Sequence, residues 1–109
     1  MYYEFKSVWG LCGTYELFKK GAKFLDVRPQ GSISKGKIKG AIEMYVGHMT
    51  LQKIMLFVKK DEPVVVYCNG QHCSLTPEAL ILMKNWGYTK LYYYRDGCPA
   101  WKYYGLPVE

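Results

Sequence analysis

A short apolar strand that runs directly into a cysteine constrains this chain more than any other feature. Residues 64–67, Val-Val-Val-Tyr, are a β-branched and aromatic run typical of a buried strand, and Cys68 follows at once. Thr76 and Pro77 predict a helix start, with threonine as the N-cap and proline as the first helical residue. Backbone N–H groups in a loop between a strand end and a helix start favour negative charge. We therefore expect Cys68 to form a reactive thiolate.

Strands and helices alternate along the rest of the chain. We expect strands at residues 4–8, 23–27, 41–44, 64–67 and 90–94. Helices are predicted from an N-cap at Thr14 to Gly21, over an apolar stripe of Leu51, Ile54, Met55 and Val58, from Thr76 to Gly87, and as a short turn at residues 99–101. Residues 28–32 read as a turn. The alternation predicts an α/β fold in which helices cover both faces of a mostly parallel sheet.

Polar residues follow several of the predicted strands. In parallel sheets, functional sites lie at the carboxyl ends of the strands. Asp26, Arg28 and Cys68 occupy such ends, and Asp96 lies just beyond the last strand. An ion pair between Asp26 and Arg28 that holds the loop is one interpretation of these two residues.

Length and composition narrow the class of protein. A chain of 109 residues, half of them hydrophobic, predicts one domain over residues 1–109, and we expect a monomer. There is no apolar run of about 20 residues and no signal-peptide profile, so we expect a cytoplasmic protein without membrane association. Four irregularly spaced cysteines favour reduced thiols over a disulfide framework. The net charge of +6 comes from scattered lysines, which favours attraction of small anions over binding of nucleic acid.

Four segments, taken in order, match one known family. They are Leu-Asp-Val-Arg at 25–28, Gly-Lys-Ile-Lys-Gly-Ala at 36–41, Cys68 itself, and Asp-Gly-Cys-Pro-Ala-Trp at 96–101 with Tyr-Gly-Leu-Pro-Val-Glu at 104–109. Together they resemble the rhodanese-like sulfurtransferase domain. The resemblance implies a three-layer α/β/α fold around a five-stranded sheet. It also implies that Cys68 carries a persulfide and that Asp26 and Arg28 shape the pocket.

The chain departs from that family mainly in the loop after Cys68. Many members carry an arginine in this loop, whereas this chain has none, and the loop is roughly two residues longer than the usual pattern. Its Cys-Asn-Gly-x-x-Cys sequence resembles a subgroup with a second loop cysteine, Cys73, although Leu75 stands where that subgroup often has arginine. Lys37 replaces a common histidine, Ser32 a frequent acidic residue, and Asp96 a glycine. These differences bear on the substrate more than on the fold.

The leading functional prediction is a sulfurtransferase without a cofactor. Cys68 accepts a sulfane sulfur from thiosulfate or another small anionic donor, such as a persulfide, and passes it to a thiol, protein or cyanide-type acceptor. The predicted substrate-binding loop consists of Asn69, Gly70, Gln71, His72, Cys73 and Ser74. Its backbone amides would stabilise the anionic persulfide. No metal is expected, because the possible ligands do not have the spacing of a strong zinc motif. These possible ligands are Cys68, His72 and Cys73, with Cys12, His48 or Cys98.

Several alternatives stay open from the sequence. Cys73 is either a resolving or redox-switch partner of Cys68 or a residue that lines the pocket, and His72 either stabilises the thiolate or is solvated. A binding or redox-sensing module that uses Cys68 and Cys73 is the second functional candidate. A cysteine phosphatase or arsenate reductase is less favoured, because Ser74 stands where the Cys-x5-Arg signature requires arginine.

Overall fold

The computed structural model describes residues 7–69 and 74–109. Five strands alternate with helices along the chain, as predicted, although residues 4–6 of the first predicted strand lie outside the described residues. The strands are β1 (Ser7–Trp9), β2 (Lys23–Asp26), β3 (Ile42–Glu43), β4 (Val64–Tyr67) and β5 (Leu91–Tyr94). The helices are α1 (Leu11–Lys19), α2 (Gln30–Ile33), α3 (Leu51–Met55), α4 (Leu75–Asn85) and α5 (Gly97–Tyr103), with a short 3-10 helix at Val46–His48.

The strands form a single sheet in the order β1-β5-β4-β2-β3, with β4 at its centre. Every strand pairing described is parallel, in agreement with the expectation of a mostly parallel, five-stranded sheet. An antiparallel contact occurs outside the named strands, as an isolated bridge between Ile38 and Val108. All four residues of β4 are buried, as a central parallel strand requires.

Two hydrophobic cores cover the two faces of the sheet, which gives three layers. One core joins Val64, Val66 and Cys68 to residues of α3 and α4. The other joins Val65 and Tyr67 to residues of α1 and α5, including the fully buried Trp101. Because successive residues of a strand face opposite sides, Cys68 and Tyr67 belong to different cores.

Both predicted threonine N-caps were wrong. Helix α1 begins at Leu11, and the N–H of Thr14 already donates to the carbonyl of Gly10 at 3.1 Å, so Thr14 lies inside the first turn. Helix α4 begins at Leu75 after Ser74, and Pro77 is its third residue. Proline is tolerated anywhere in the first turn because those N–H groups have no partner within the helix. Pro77 therefore predicts the first turn of α4 correctly, but it does not predict which residue begins the helix.

Two further elements differ from the prediction. The segment predicted as a turn contains α2, whose Ser32 and Ile33 N–H groups both donate to the carbonyl of Pro29. Helix α3 ends at Met55, so it is shorter than the predicted apolar stripe. Ile54 and Val58 are buried as the stripe predicts, whereas the side chain of Met55 is 54% exposed. The stop of α4 at Gly87 is confirmed, because that glycine has a φ of +98°.

The last residues close the fold against the segment before β3. Lys37 and Glu109 exchange two backbone hydrogen bonds of 2.9 Å, and the indole N–H of Trp101 donates to the carbonyl of Pro107 at 2.7 Å. The aromatic ring of Trp101 packs against Phe18, Phe24 and Tyr94. In the described ranges, none of the helices has the length and apolar character needed to span a membrane.

Candidate functional site

Cys68 occupies the carboxyl end of the central strand β4, as the sequence predicts. Its side chain is almost completely buried, at 1% exposure, within the core that α3 and α4 cover. Its carbonyl accepts a hydrogen bond of 3.0 Å from the N–H of Cys98 at the start of α5. Cys68 is disulfide-bonded, so the expectation of reduced thiols was wrong for this cysteine, whereas Cys12 and Cys98 are free thiols. The remaining cysteine, Cys73, lies outside the described residues.

Asp26 and Arg28 form a buried ion pair at the neighbouring strand end. The side chains of Asp26 and Arg28 are 0% and 5% exposed, and Arg28 Nη2 lies 2.7 Å from Asp26 Oδ2. Arg28 Nε donates to both carboxylate oxygens, at 2.9 and 3.1 Å. Burial alone would lower the pKa of the guanidinium, but the hydrogen bond and the charge of Asp26 outweigh burial and raise that pKa. Of the two readings from sequence, these contacts agree with an ion pair that organises the site.

Tyr67, which directly precedes Cys68, joins this ion pair. Its hydroxyl donates to Asp26 Oδ2 at 2.7 Å and accepts a bond of 3.1 Å from the N–H of Ile38. Burial, followed by the nearby charge of Asp26, raises the pKa of the Tyr67 phenol far above its usual value. Tyr67 is therefore a neutral donor at all ordinary pH values.

The remaining donors of Arg28 reach the loop after Cys68 and the segment before β3. Arg28 Nη1 donates to Asn69 Oδ1 at 3.1 Å, and Nη2 donates to the carbonyl of Gly36 at 2.7 Å. All three nitrogens of this guanidinium thus have protein acceptors. Arg28 therefore organises the protein around Cys68 through most of its five N–H donors.

Cys98 is a second buried cysteine beside this network, and it is a free thiol. It is 0% exposed, and its Sγ lies 3.6 Å from the carbonyl oxygen of Gly36. Burial raises the pKa of the Cys98 thiol, and the charge of Arg28 opposes that effect only partly. Cys98 and Cys68 lie on opposite faces of the sheet, in different cores.

A groove of about 540 Å³ adjoins the network at Arg28. Its walls include Arg28, Met44, Tyr45, His48 and Phe57. Cys68 is not among the lining residues in the part of the chain that the structure describes, since its side chain is covered by the core. The groove meets the network through Arg28.

The structure places the predicted site residues in three groups. Cys68, Asn69, Asp26 and Arg28 come together at one end of the sheet. Ser74 is the N-cap residue of α4 and is exposed, and Asp96 is the exposed N-cap residue of α5. The predicted loop residues Gly70, Gln71, His72 and Cys73 lie outside the described residues. Within the described ranges, no three His, Cys, Asp or Glu side chains are arranged to hold a metal ion.

Sequence reasoning did not identify three members of the network: Tyr67, Gly36 and Cys98. The strand register provides a signal for Tyr67, because Asp26 pairs directly with Tyr67 in adjacent parallel strands and the two side chains share one face. To use this signal, one must know that β2 and β4 are neighbours in the sheet as well as where each strand lies in the sequence. Gly36 contributes only its backbone carbonyl, and a backbone group cannot be predicted from a pattern of side chains.

Comparison with protein families gives one clear match. The model of the rhodanese-like domain family matches residues 14–103, which is most of the chain. The matched region includes the whole buried network and both segments that flank the loop after Cys68.

Individual proteins are similar to this chain over most of its length. A sulfurtransferase of Allochromatium vinosum is 29% identical over 84 residues, which cover 77% of this chain and 75% of the relative. An HTH-type transcriptional regulator of Mycobacterium tuberculosis is 31% identical over 85 residues, which cover 78% of this chain, and the match spans only 36% of the regulator. The crystal structure of the Rhodanese_3 like domain of an Anabaena protein superposes with a TM-score of 0.72 at 27% identity, covering 82% of this chain and 99% of that domain.

Proposed function

We propose, from the premise that this chain belongs to the rhodanese-like domain family, that it is a sulfurtransferase which carries sulfur on Cys68. The donor is thiosulfate or a persulfide, and the acceptor is a thiol, on a small molecule or a protein, or a cyanide-type nucleophile. The observation that carries the proposal is the position of Cys68 at the carboxyl end of the central parallel strand, between Tyr67 and Asn69, which are both held by one buried ion pair. The name of the Allochromatium relative points to the same activity.

The proposed reaction has two steps. The Cys68 thiolate attacks the outer sulfur of thiosulfate, the S–S bond of thiosulfate breaks, and sulfite leaves with the bonding electron pair. The terminal sulfur of the resulting persulfide is then attacked by the acceptor thiolate. The bond between the two persulfide sulfurs breaks, the acceptor keeps the transferred sulfur, and Cys68 regains its thiolate. The disulfide of Cys68 has to be reduced before the first step.

The surroundings of Cys68 suit an anionic intermediate. The chain passes from Cys68 through six residues into the amino end of α4, which is eleven residues long. The positive end of the α4 dipole favours negative charge there. The net charge of +6 favours the approach of an anionic donor.

Phosphate chemistry is less well supported by the same surroundings. A cysteine phosphatase holds its oxyanion with an arginine six positions after the cysteine, and Ser74 occupies that position here. Arg28 is not equivalent to that arginine, because it follows β2 and directs most of its N–H donors to Asp26, Asn69 and Gly36.

A second candidate is a redox-sensing module of the same fold, as the sequence allowed. The observation that favours it is that Cys68 is disulfide-bonded while Cys12 and Cys98 are free. In that role the thiol and disulfide forms of Cys68 would be the two states of a sensor, and sulfur transfer would not occur.

Sulfite release separates the two candidates. The reduced protein is mixed with thiosulfate and an acceptor thiol or cyanide, and sulfite is measured over many turnovers. A sulfurtransferase releases sulfite catalytically, and Cys68→Ser abolishes the release while Cys12→Ser, at an exposed cysteine on α1, leaves it unchanged. A redox module releases no sulfite from thiosulfate and transfers no sulfur from a persulfide donor to the acceptor, yet still cycles between thiol and disulfide.

A further inference from the structure

The residues on both sides of Cys68 are bonded to the same buried ion pair. Tyr67 donates its hydroxyl to Asp26, and Asn69 accepts a hydrogen bond from Arg28. Asp26 and Arg28 are themselves joined by three side-chain hydrogen bonds of 2.7 to 3.1 Å. We call this set of four side chains, Asp26, Arg28, Tyr67 and Asn69, the clamp.

The clamp holds the backbone on both sides of Cys68. Tyr67 packs in the core beneath α1 and α5, whereas Cys68 packs in the opposite core. The carbonyl of Cys68 accepts from the N–H of Cys98, and the carbonyl of Tyr67 accepts from the N–H of Val27 at 3.3 Å. The position of Cys68 is thus set through its neighbours.

Asn69 differs from the other three members of the clamp in its exposure. Asp26, Arg28 and Tyr67 are almost fully buried, whereas Asn69 is exposed and is the first residue of the loop. An exposed side chain contributes little to the core, so the hydrogen bond to Arg28 is the described contact that gives Asn69 a fixed orientation. Arg28 in turn is fixed by Asp26 and by the carbonyl of Gly36.

We propose that Asn69 is a positioning residue, which orients the start of the loop through its side-chain oxygen on Arg28 and so sets the reactivity of Cys68. The proposal rests on the proposed function for the reaction that it tunes. An acceptor is required at position 69, because Arg28 Nη1 is a donor. Asparagine and aspartate satisfy this requirement, and leucine, which has a similar size, does not.

The test compares four reduced proteins: the unmodified chain, Asn69→Leu, Asn69→Asp, and Asn85→Leu. Asn85 is an exposed residue at the end of α4, so Asn85→Leu controls for the same substitution away from the site. Two rates are measured for Cys68 by site-resolved mass spectrometry, alkylation by iodoacetamide across a pH series and sulfur uptake from thiosulfate. Thermal unfolding of each protein shows whether the fold is kept.

We expect Asn69→Leu to slow both reactions of Cys68 about tenfold, the loss corresponding to one hydrogen bond to a charged group. Its alkylation profile should also move to higher pH, while its unfolding temperature stays close to that of Asn85→Leu. Asn69→Asp should restore most of the alkylation rate at the high end of the pH series, where Cys68 is ionised in every variant and the uncharged iodoacetamide is least sensitive to the added charge. A purely structural role would lower the unfolding temperature without any rescue by aspartate.

The two proposals fail in different ways. If the unmodified chain takes up no sulfur from any donor but Asn69→Leu still slows alkylation and Asn69→Asp restores it, the sulfurtransferase proposal fails and the positioning role stands. If Asn69→Leu reacts like Asn85→Leu in alkylation, or if aspartate gives no rescue, the positioning role is overturned whatever the sulfur uptake.

Discussion

The hydroxyl of Tyr67 lies 2.7 Å from Asp26 Oδ2, across two adjacent parallel strands and one residue before Cys68. The same hydroxyl accepts a hydrogen bond from the N–H of Ile38. One buried phenol therefore ties β4, β2 and the segment before β3 together at the edge of the sheet where Cys68 lies.

Replacing Tyr67 by phenylalanine tests that relationship. The change keeps the ring but leaves the Ile38 N–H buried without a partner, so we expect the free energy of unfolding to fall by about 1–3 kcal/mol. Urea denaturation measures the change. Tyr103→Phe is the matched control, because Tyr103 is 83% exposed and should give no measurable loss. Equal stabilities for the two variants would contradict the role of the Tyr67 hydroxyl.

The buried ion pair should show strong coupling between its two partners. Arg28→Met leaves Asp26 buried without a cation, which should lower the free energy of unfolding by about 3–5 kcal/mol. Adding Asp26→Asn removes the uncompensated charge, so the double variant should lose much less than the sum of the two single losses. Urea denaturation of the three variants gives the coupling energy. Losses that simply add would show that the pair does not act as a unit.

The free cysteines should differ sharply in reactivity. Cys12 is exposed on α1, whereas Cys98 is fully buried and burial raises the pKa of its thiol. In folded protein at pH 8, iodoacetamide should modify Cys12 readily and leave Cys98 intact, as followed by mass spectrometry of the digested chain. In urea both should react. Modification of Cys98 at the rate of Cys12 in the folded protein would refute its placement.

Glu109 should make stability depend on pH at the acid end. A hydrogen bond from the N–H of Gly40 lowers the pKa of the Glu109 carboxyl below 4.5, and the charge of Lys37 adds to this effect. The ionised carboxyl therefore stabilises the fold above pH 4.5, and this contribution is lost as the pH falls through the lower folded-state value.

Glu109→Gln measures that contribution, because glutamine keeps an acceptor for Gly40 and removes the charge. Thermal unfolding of both proteins should differ most near neutral pH, and the difference should vanish in acid. A difference that stays constant over the whole pH range would mean that ionisation of Glu109 is not its cause.

The fold was largely predictable from local patterns. The β-branched run before Cys68, the glycine that ends α4 and the alternation of elements each depend on a few neighbouring residues. Helix starts were less predictable: Thr14 and Thr76 are good N-caps in general, yet both lie within a first turn and are buried. Packing against the sheet decided their position, and a local pattern does not contain that information.

The candidate site was predictable only in part, for a similar reason. Cys68, Asp26 and Arg28 stand at strand ends that can be read from the sequence. The bonds that join them to Tyr67, Asn69 and Gly36 depend on strand order, register and the path of a loop, which are properties of the assembled sheet. The sequence therefore predicts which residues gather at this edge, and the structure adds how they are connected.

Transfer of one sulfur atom to Cys68 is the most direct test of the central claim. The protein is reduced, mixed with thiosulfate or with a persulfide donor, separated from the donor, and analysed intact and after digestion by mass spectrometry. We predict a gain of one sulfur atom located on Cys68, its removal by an acceptor thiol or cyanide, and no gain in Cys68→Ser. If the reduced protein gains no sulfur on Cys68 while a known sulfurtransferase does so under the same conditions, the account is contradicted.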